Sequence, residues 1–591
     1  MLFYGDTARE EDAREKLSGT ERAWREAAAM PPGIARHGAA AAVFIEAGEL
    51  AQGVADAGFA ARGGRDGRSP AGDAALTLLT RLAAAVRSSW DSGFARLDAV
   101  PGGAFDALRA ARPPGSVRTK RAEGFAFYAL YPETYLAAAR TAGLGPGRPV
   151  RVIGIRSIGA ALGALVAAGA GAPPPATVRP VGHPFRRELA VSGALESELL
   201  AARGAAFAVA DEGPGLSGSS FGAVADFLED RGVAPGRIHF FPSHGGAPGP
   251  EASPRHRARW AGARRHTVGF DALALGAPAR PEHRLSSWVA DLVGGPPDGP
   301  LAEVSGGGWR RLRYAGEADW PPVNAQGERR KFLLRAGGAT WLLRFAGLGR
   351  EGERKLERAR ALHAAGFANA VAGFRHGFLV ERWMEGARPL DPRACDRERL
   401  AGHVGRYLGF RARSFPAGVG EGASLAELRA MARHNAGQAM GEEWARRVER
   451  GTEGLEGFEV RLRRVETDNR LHAWEWLLLP DGRLLKTDAL DHHAAHDLIG
   501  CQDIAWDVAG AVCELGLEKE LSVLLAALGR GARRGVDPDL VALLTPCYLA
   551  FQLGACAMAE RAAPDAGEAV RLRAAAGRYA EALRRTLLES G

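Results

Sequence analysis

The sequence predicts a multidomain fold of α/β plus α+β type. A helical N-terminal region leads into a parallel sheet flanked by helices, and a two-lobed unit of strands and helices follows. Three observations predict it. At 591 residues the chain is too long for one core, so roughly two to four domains are expected. Between 150 and 241, short apolar strands recur, each ending in a polar or Gly-rich loop, in the rhythm of a parallel sheet with crossover helices. Beyond a Pro/Gly-rich break near 300, hairpins give way to long helical stretches.

Taken in order, residues 1–120 are rich in Ala, Arg and Glu, with helices expected around 20–30, 40–60 and 73–112 and a loop at 64–72. The segment 123–135 holds five aromatic residues in thirteen, fit for a core junction or for a wall on which a base stacks. Residues 121–300 form the α/β domain, with strands expected at 150–155, 205–210 and 237–241. In such a sheet, ligands bind beyond the carboxyl ends of the strands. Residues 301–322 read as a linker. Residues 323–591 form the last domain, with a hairpin over 330–345, a strand pair around 376–383 and a second hairpin turning on Pro480-Asp481-Gly482.

The bulk composition excludes several classes. A 46% hydrophobic and 25% charged chain has the balance of a soluble globular protein. The net charge of +8 comes from 77 basic against 69 acidic residues. Nearly all the basic residues are Arg, scattered beside Asp or Glu, whereas a nucleic-acid interface clusters them. Small phosphorylated substrates are therefore the expected partners, with no nucleic acid and no membrane, and a homodimer left open. Five Cys at 395, 501, 513, 547 and 556 form no CxxC pair. That sparse, odd set and the lack of a signal-peptide core point to the cytoplasm.

The first chemical constellation is Asp211-Glu212 at a strand end, followed by a loop containing Gly215, Ser217, Gly218, Ser219 and Ser220 before a helix. Such an acid pair suits ribose hydroxyls or a hydrated Mg²⁺. Hydroxyls and backbone N–H groups at a helix N-terminus suit a phosphate. Upstream, Arg156, Ser157 and Gly159 repeat the design and add a cation for a second phosphate. These residues resemble the type I phosphoribosyltransferase family over about 125–245. The resemblance implies that Asp211 and Glu212 hold the ribose of phosphoribosyl pyrophosphate, Asp211 also serving Mg²⁺. It assigns the 5-phosphate to 217–220 and the pyrophosphate to 156–159. The segment 177–187 is then a mobile hood supplying Arg179, His183, Arg186 and Arg187. Two features depart from the family pattern: the phosphate loop is about one residue longer and carries Pro214, and no Lys occurs between 121 and 330.

The second constellation runs through Asp468, His472, Glu475, Lys486, Asp488, the pair His492-His493, His496-Asp497 and Asp507. Asp488, His492 and His496 have spacings compatible with a Zn²⁺ or Fe²⁺ site. The order also resembles the aminoglycoside-phosphotransferase branch of the protein-kinase-like fold over about 325–585. That resemblance implies Arg344 as the phosphate-contacting cation, Glu353 or Glu357 as its helix partner, and Asp488 with Glu475 as Mg²⁺ ligands. It also implies Lys486 against phosphate and Asp507 in a structural helix motif. The catalytic loop is atypical: aligned on His472, Arg470 and Glu475 stand where an Asp and an Asn are usual, which leaves Asp468 as the candidate base.

The expected protein is a phosphoribosyltransferase-like enzyme that uses Mg²⁺ and phosphoribosyl pyrophosphate. It is joined to a kinase-like domain that phosphorylates or senses a small molecule, with ATP as that domain's nucleotide. The rival readings are a non-catalytic sensor of phosphoribosyl compounds joined to a pseudokinase, and a His/Asp metal-dependent site in the C-terminal half.

Overall fold

The computed structural model describes residues 8–589 except 145–146, 203, 277–278, 419 and 494–498. The N-terminal region begins with a strand the sequence did not suggest. β1 (Ala8–Asp12) pairs antiparallel with β2 (Ser116–Lys120), closing the region into a loop around four helices. α1 (Ala13–Ala29) starts at Asp12, whose carboxylate accepts from the N–H groups of Arg14 and Glu15 at 2.8 and 2.9 Å. α2 (Ile34–Ala61) is largely apolar, and half of its residues are buried. α3 (Pro70–Asp91) has Ser69 as its cap and Pro at its first position. The helical stretch expected at 73–112 is in fact two helices, because α4 (Gly102–Ala110) is set off by Pro101.

A five-stranded parallel sheet follows. Its strands are β3 (Val150–Ile155), β4 (Ala176–Val178), β7 (Ala206–Ala210), β8 (Ile238–Phe241) and β9 (Arg264–Arg265), in the order β4-β3-β7-β8-β9. A small hairpin, β5 (Val181–His183) with β6 (Arg186–Glu188), lies outside it. Both faces are covered, as parallel sheets require. Val152, Ala208 and Ala210 face α2, α3 and the helix Gly159–Ala170, while Ile153, Phe207 and Val209 face the helix Ser219–Glu229.

The second sheet is antiparallel. It comprises β10 (Ala302–Glu303), β11 (Lys331–Ala336), β12 (Ala339–Phe345), β13 (Val371–Arg375) and β14 (Phe378–Arg382), ordered β10-β11-β12-β14-β13. The helix Arg350–Ala364 lies between β12 and β13 in the chain. Alternation along the strands gives the two faces different fates. Phe332, Leu334, Leu343, Phe345, Phe378 and Val380 belong to the same apolar cluster as α2, α3 and Tyr131. The opposite face turns to the C-terminal helices and forms one wall of a cleft.

The segment 301–322 is therefore no free linker. It supplies β10 and a short 3-10 helix, Gly308–Leu312, in which buried Arg310 pairs with buried Glu568 at 2.8 Å. In the C-terminal lobe a hairpin, Trp476–Leu478 with Leu484–Lys486, turns on 480–482. Helices Arg397–Ser414, Leu425–Met440, Ala505–Leu515, Pro538–Arg561 and Ala566–Glu589 surround it. Among the described residues, Pro538–Arg561 is the one helix long and apolar enough to cross a membrane. Its most apolar window is 67% buried inside the protein, the packing of a core helix.

Candidate functional site

Two cavities carry most of the chemistry. The first lies between the second sheet and the C-terminal lobe, with a volume of about 230 Å³. Lys331, Leu342, Arg344 and Glu381 line it from the sheet, and Arg470, His472, Glu475, Lys486 and Asp488 line it from the opposite lobe. Lys331 and Arg344 are direct cross-strand partners on β11 and β12. Like charges in that relation repel, and both side chains are nearly buried, at 12% and 5% exposure. Asp488 holds them together. Its two oxygens lie 2.5 Å from the Arg344 guanidinium and 3.3 Å from Lys331 Nζ. Burial alone would raise the Asp488 carboxyl, but Lys331 and Arg344 outweigh it and keep it well below the usual range.

Glu353 and Glu357 do not partner Arg344: both are exposed on the outer side of the helix Arg350–Ala364. Arg344 pairs instead with Asp488 and with Glu381 at 3.3 Å. The charged residues that helix buries are Lys355 and Arg358, and Lys355 lies 2.9 Å from Asp491 and 3.5 Å from Glu351. Sequence reasoning missed both Lys331 and Lys355. Lysine itself was an available signal. The chain has only six, and Lys331, Lys355 and Lys486 all reach this region.

Asp468, the candidate base, does not line the cleft. Its side chain is wholly buried, accepts from the Tyr407 hydroxyl, and lies 3.5 Å from Lys486 and 3.7 Å from His492. Lys486 and Arg411 hold it in its charged form against the cost of burial. The backbone N–H groups of Asp468 and Asn469 both donate to Asp507, at 2.8 and 2.9 Å, so the helix motif clamps the loop from behind. Arg470 faces the cavity instead, and an Arg cannot act as a general base. Lys486 is committed inward, donating to the Thr487 carbonyl at 2.7 Å. Glu475 lies on the cavity wall, 3.9 Å from Lys486. Asp488, Asp491 and His492 bring three potential ligand atoms together. His496 and Asp497 lie outside the described residues.

The second cavity, of about 600 Å³, opens at the carboxyl ends of β7 and β8. Glu212, Gly215, Ser243, His244, Tyr128 and Phe270 line it, together with Arg330, which immediately precedes β11. Consecutive residues, Arg330 and Lys331, thus line different cavities, as the alternation of an extended chain dictates. Arg330 spans from Asp271 at 2.6 Å to Glu303 at 2.8 Å. At the strand end, burial pushes the Asp211 carboxyl up to about 8, and its neighbour Glu212 adds to the rise. The Tyr135 hydroxyl donates to the Asp211 carbonyl at 2.8 Å.

Around this sheet edge the expected residues fall into two groups. The loop 215–220 lies at the N-terminus of the helix Ser219–Glu229, and the tip of the β5–β6 hairpin covers it. The hydroxyls of Ser217 and Ser219 both reach the Pro184 carbonyl, at 3.4 and 2.8 Å, and His183 and Arg186 are exposed on the hairpin. Ser220 is half-buried on the first turn. The turn after β3 is built on close approach: a Cβ on Gly154 would lie 2.0 Å from the Gly159 carbonyl oxygen. Arg156, expected to grip pyrophosphate, is committed elsewhere. It is 6% exposed, donates to Asp56 at 2.8 Å and to Asp66, and also bonds Thr177. Arg179 is tied to the same Asp56 at 2.6 Å, while half-buried Ser157 stays at the turn. Both Asp residues come from the N-terminal region, whose acids could not be matched to Arg156 or Arg179 from spacing.

No protein-family model matches the chain, and no curated protein matches it. Among solved structures, it is similar to the choline kinase LicA from Streptococcus pneumoniae at 17% identity, covering 42% of this chain and 89% of that one with a TM-score of 0.31. A choline/ethanolamine kinase family protein from Mesorhizobium loti gives 18% identity, 43% and 90% coverage and a TM-score of 0.27. The aminoglycoside phosphotransferase APH(4)-Ia gives 14%, 44%, 90% and 0.28.

Proposed function

We propose that the cleft between the second sheet and the C-terminal lobe is the nucleotide site of a kinase-like unit. In this reading it binds Mg²⁺ and a nucleoside triphosphate but lacks the usual base for phosphoryl transfer. The carrying observation is the cross-strand pair Lys331 and Arg344 with one carboxylate between them. Two converging cations suit β- and γ-phosphates, and neutralising phosphate charge is the main electrostatic task at such a site. Mg²⁺ prefers oxygen ligands, which Asp488 and Asp491 offer, whereas His492 beside them suits Zn²⁺ better. When bound, Mg²⁺ would be held by Asp488 and Asp491 and would supply neutralisation of the phosphate charge. The protein's own part is to hold the phosphates with Lys331 and Arg344 and to keep Asp488 ionised. Arg470 in the cavity and Asp468 buried behind it favour binding or sensing over standard transfer. Thermal melting tests this: Mg·ATP should raise the melting temperature of the wild type, and Asp488→Ala should abolish the rise.

A second reading applies to the other cavity. A phosphoribosyltransferase-like ribose-phosphate site is supported by Asp211-Glu212 at the carboxyl edge of a parallel sheet, with a Ser-rich helix N-terminus beside them. The commitment of Arg156 and Arg179 to Asp56 and Asp66 leaves His183, Arg186 and Arg187 of the hairpin as the cations for a pyrophosphate. The site therefore favours ligand binding more than turnover. Mg²⁺-dependent release of pyrophosphate from phosphoribosyl pyrophosphate distinguishes the two. Stabilisation without release identifies a sensor, and stabilisation that survives Asp211→Ala removes the assignment.

A further inference from the structure

Away from both cavities, three ionisable side chains from three parts of the chain meet in the core. His37 comes from α2, Glu133 from the helix Pro132–Thr141, and His376 from the turn between β13 and β14. All three side chains are fully buried. His37 Nε2 lies 2.8 Å from Glu133 Oε1, and His376 Nε2 lies 3.5 Å from Glu133 Oε2. Among the described residues, Glu133 has no ion-pair partner other than these two imidazoles.

The hydrogen bonding around this group is incomplete. Both ring nitrogens of His376 and Oε2 of Glu133 are buried without a hydrogen-bond partner, each a costly omission. A single imidazolium would balance the carboxylate but leave the second ring unsatisfied. One divalent cation would satisfy Oε2 of Glu133 and Nε2 of His376 together, with both imidazoles neutral. The ligand atoms of the three residues lie within 4.8 Å of one another. His37 is oriented from behind, since its Nδ1 is 3.0 Å from buried Ser89 Oγ, the outer-shell contact that fixes tautomer and ring in metal-binding histidines.

We propose that His37, Glu133 and His376 form a structural Zn²⁺ site that clasps the N-terminal helices, the wall of the parallel-sheet cavity and the second sheet. Two imidazoles and a carboxylate are a donor set for Zn²⁺. A polar bond already crosses the same seam: the Tyr131 hydroxyl donates to the His376 carbonyl at 3.0 Å. Metal binding displaces the proton shared between His37 and Glu133, and its free energy adds to that of folding.

The test uses the full chain with ZnCl₂ as the probe. After dialysis against micromolar Zn²⁺, elemental analysis should find one equivalent per chain that resists brief treatment with a weak chelator, and its removal should lower the melting temperature. Co²⁺ in its place should give the visible absorption of a tetrahedral nitrogen–oxygen site. His376→Gln should lose that equivalent, whereas His492→Gln, at the other cluster, should retain it. Should His376→Gln not fold, Ser89→Ala keeps all three ligands and should weaken Zn²⁺ binding about 10- to 100-fold. Absence of bound Zn²⁺ in the wild type overturns the proposal, as does an equivalent lost in His492→Gln but kept in His376→Gln. An unchanged affinity in Ser89→Ala also counts against it.

Discussion

The most informative single substitution in the parallel-sheet unit is Asp211→Asn, because the wild-type carboxyl titrates at about 8 where 3.8 is usual. Between these values the folded chain keeps a proton that the unfolded chain has released. The sign follows from linkage: stability is fully present below about 4 and falls as pH rises toward 8. At ~1.4 kcal/mol for each tenfold change in proton affinity, the ceiling is ~6 kcal/mol. The partial exposure of Asp211 and relaxation around the charge reduce the expected effect to ~2 kcal/mol. Asn keeps the size and cannot ionise, so the variant should lack this slope. Urea unfolding followed by tryptophan fluorescence at pH 5, 6, 7 and 8 measures it. The variant should gain ~2 kcal/mol on the wild type between pH 5 and 8, while every other titrating group cancels in the difference. A difference that stays constant across that range would refute the account of Asp211. Mg²⁺ should flatten the wild-type slope, since a bound cation removes the reason for holding the proton.

Two further substitutions test the C-terminal lobe. Asp507→Ala strips the buried N–H groups of Asp468 and Asn469 of their acceptor, and urea unfolding should show a loss of ~2–4 kcal/mol; a loss below ~0.5 kcal/mol would show that the loop has other support. Gly422→Ala places a Cβ 1.8 Å from the Cys501 carbonyl oxygen at a φ of +95°. It should cost at least ~2 kcal/mol, whereas Gly457→Ala, with open space at the same position, should stay within ~0.5 kcal/mol in the same assay.

Periodicity and turn chemistry made much of the framework legible. The strands near 150, 205 and 237, the hairpin over 330–345 and the turn at 480–482 all stand out because strand text is bounded by Gly, Pro or Asp. β1 escaped notice because Ala8-Arg-Glu-Glu-Asp12 is charged and pairs with a segment more than 100 residues away. The acid pair and the Ser loop were readable because they are contiguous. The partners of Arg156 and Arg344 were not, because Asp56, Asp66, Asp488 and Glu381 reach them only through tertiary packing. Spacing that suggests a base at Asp468 likewise says nothing of its burial between Tyr407 and Lys486. Within the aromatic segment 123–135, Tyr131 and Tyr135 are core residues, and Tyr128 lies on the wall of the second cavity.

Lys331 and Arg344 form the most demanding feature of the cleft, since two buried cations in register need an anion between them. Isothermal titration of Mg·ATP into the full chain and into Lys331→Met measures their role directly. The account predicts Mg²⁺-dependent binding to the wild type, a loss of at least about tenfold in affinity in Lys331→Met (~1.4 kcal/mol), and no transfer of the γ-phosphate to water or small alcohols beyond background. Equal affinity in both proteins, or no binding to either, would contradict it.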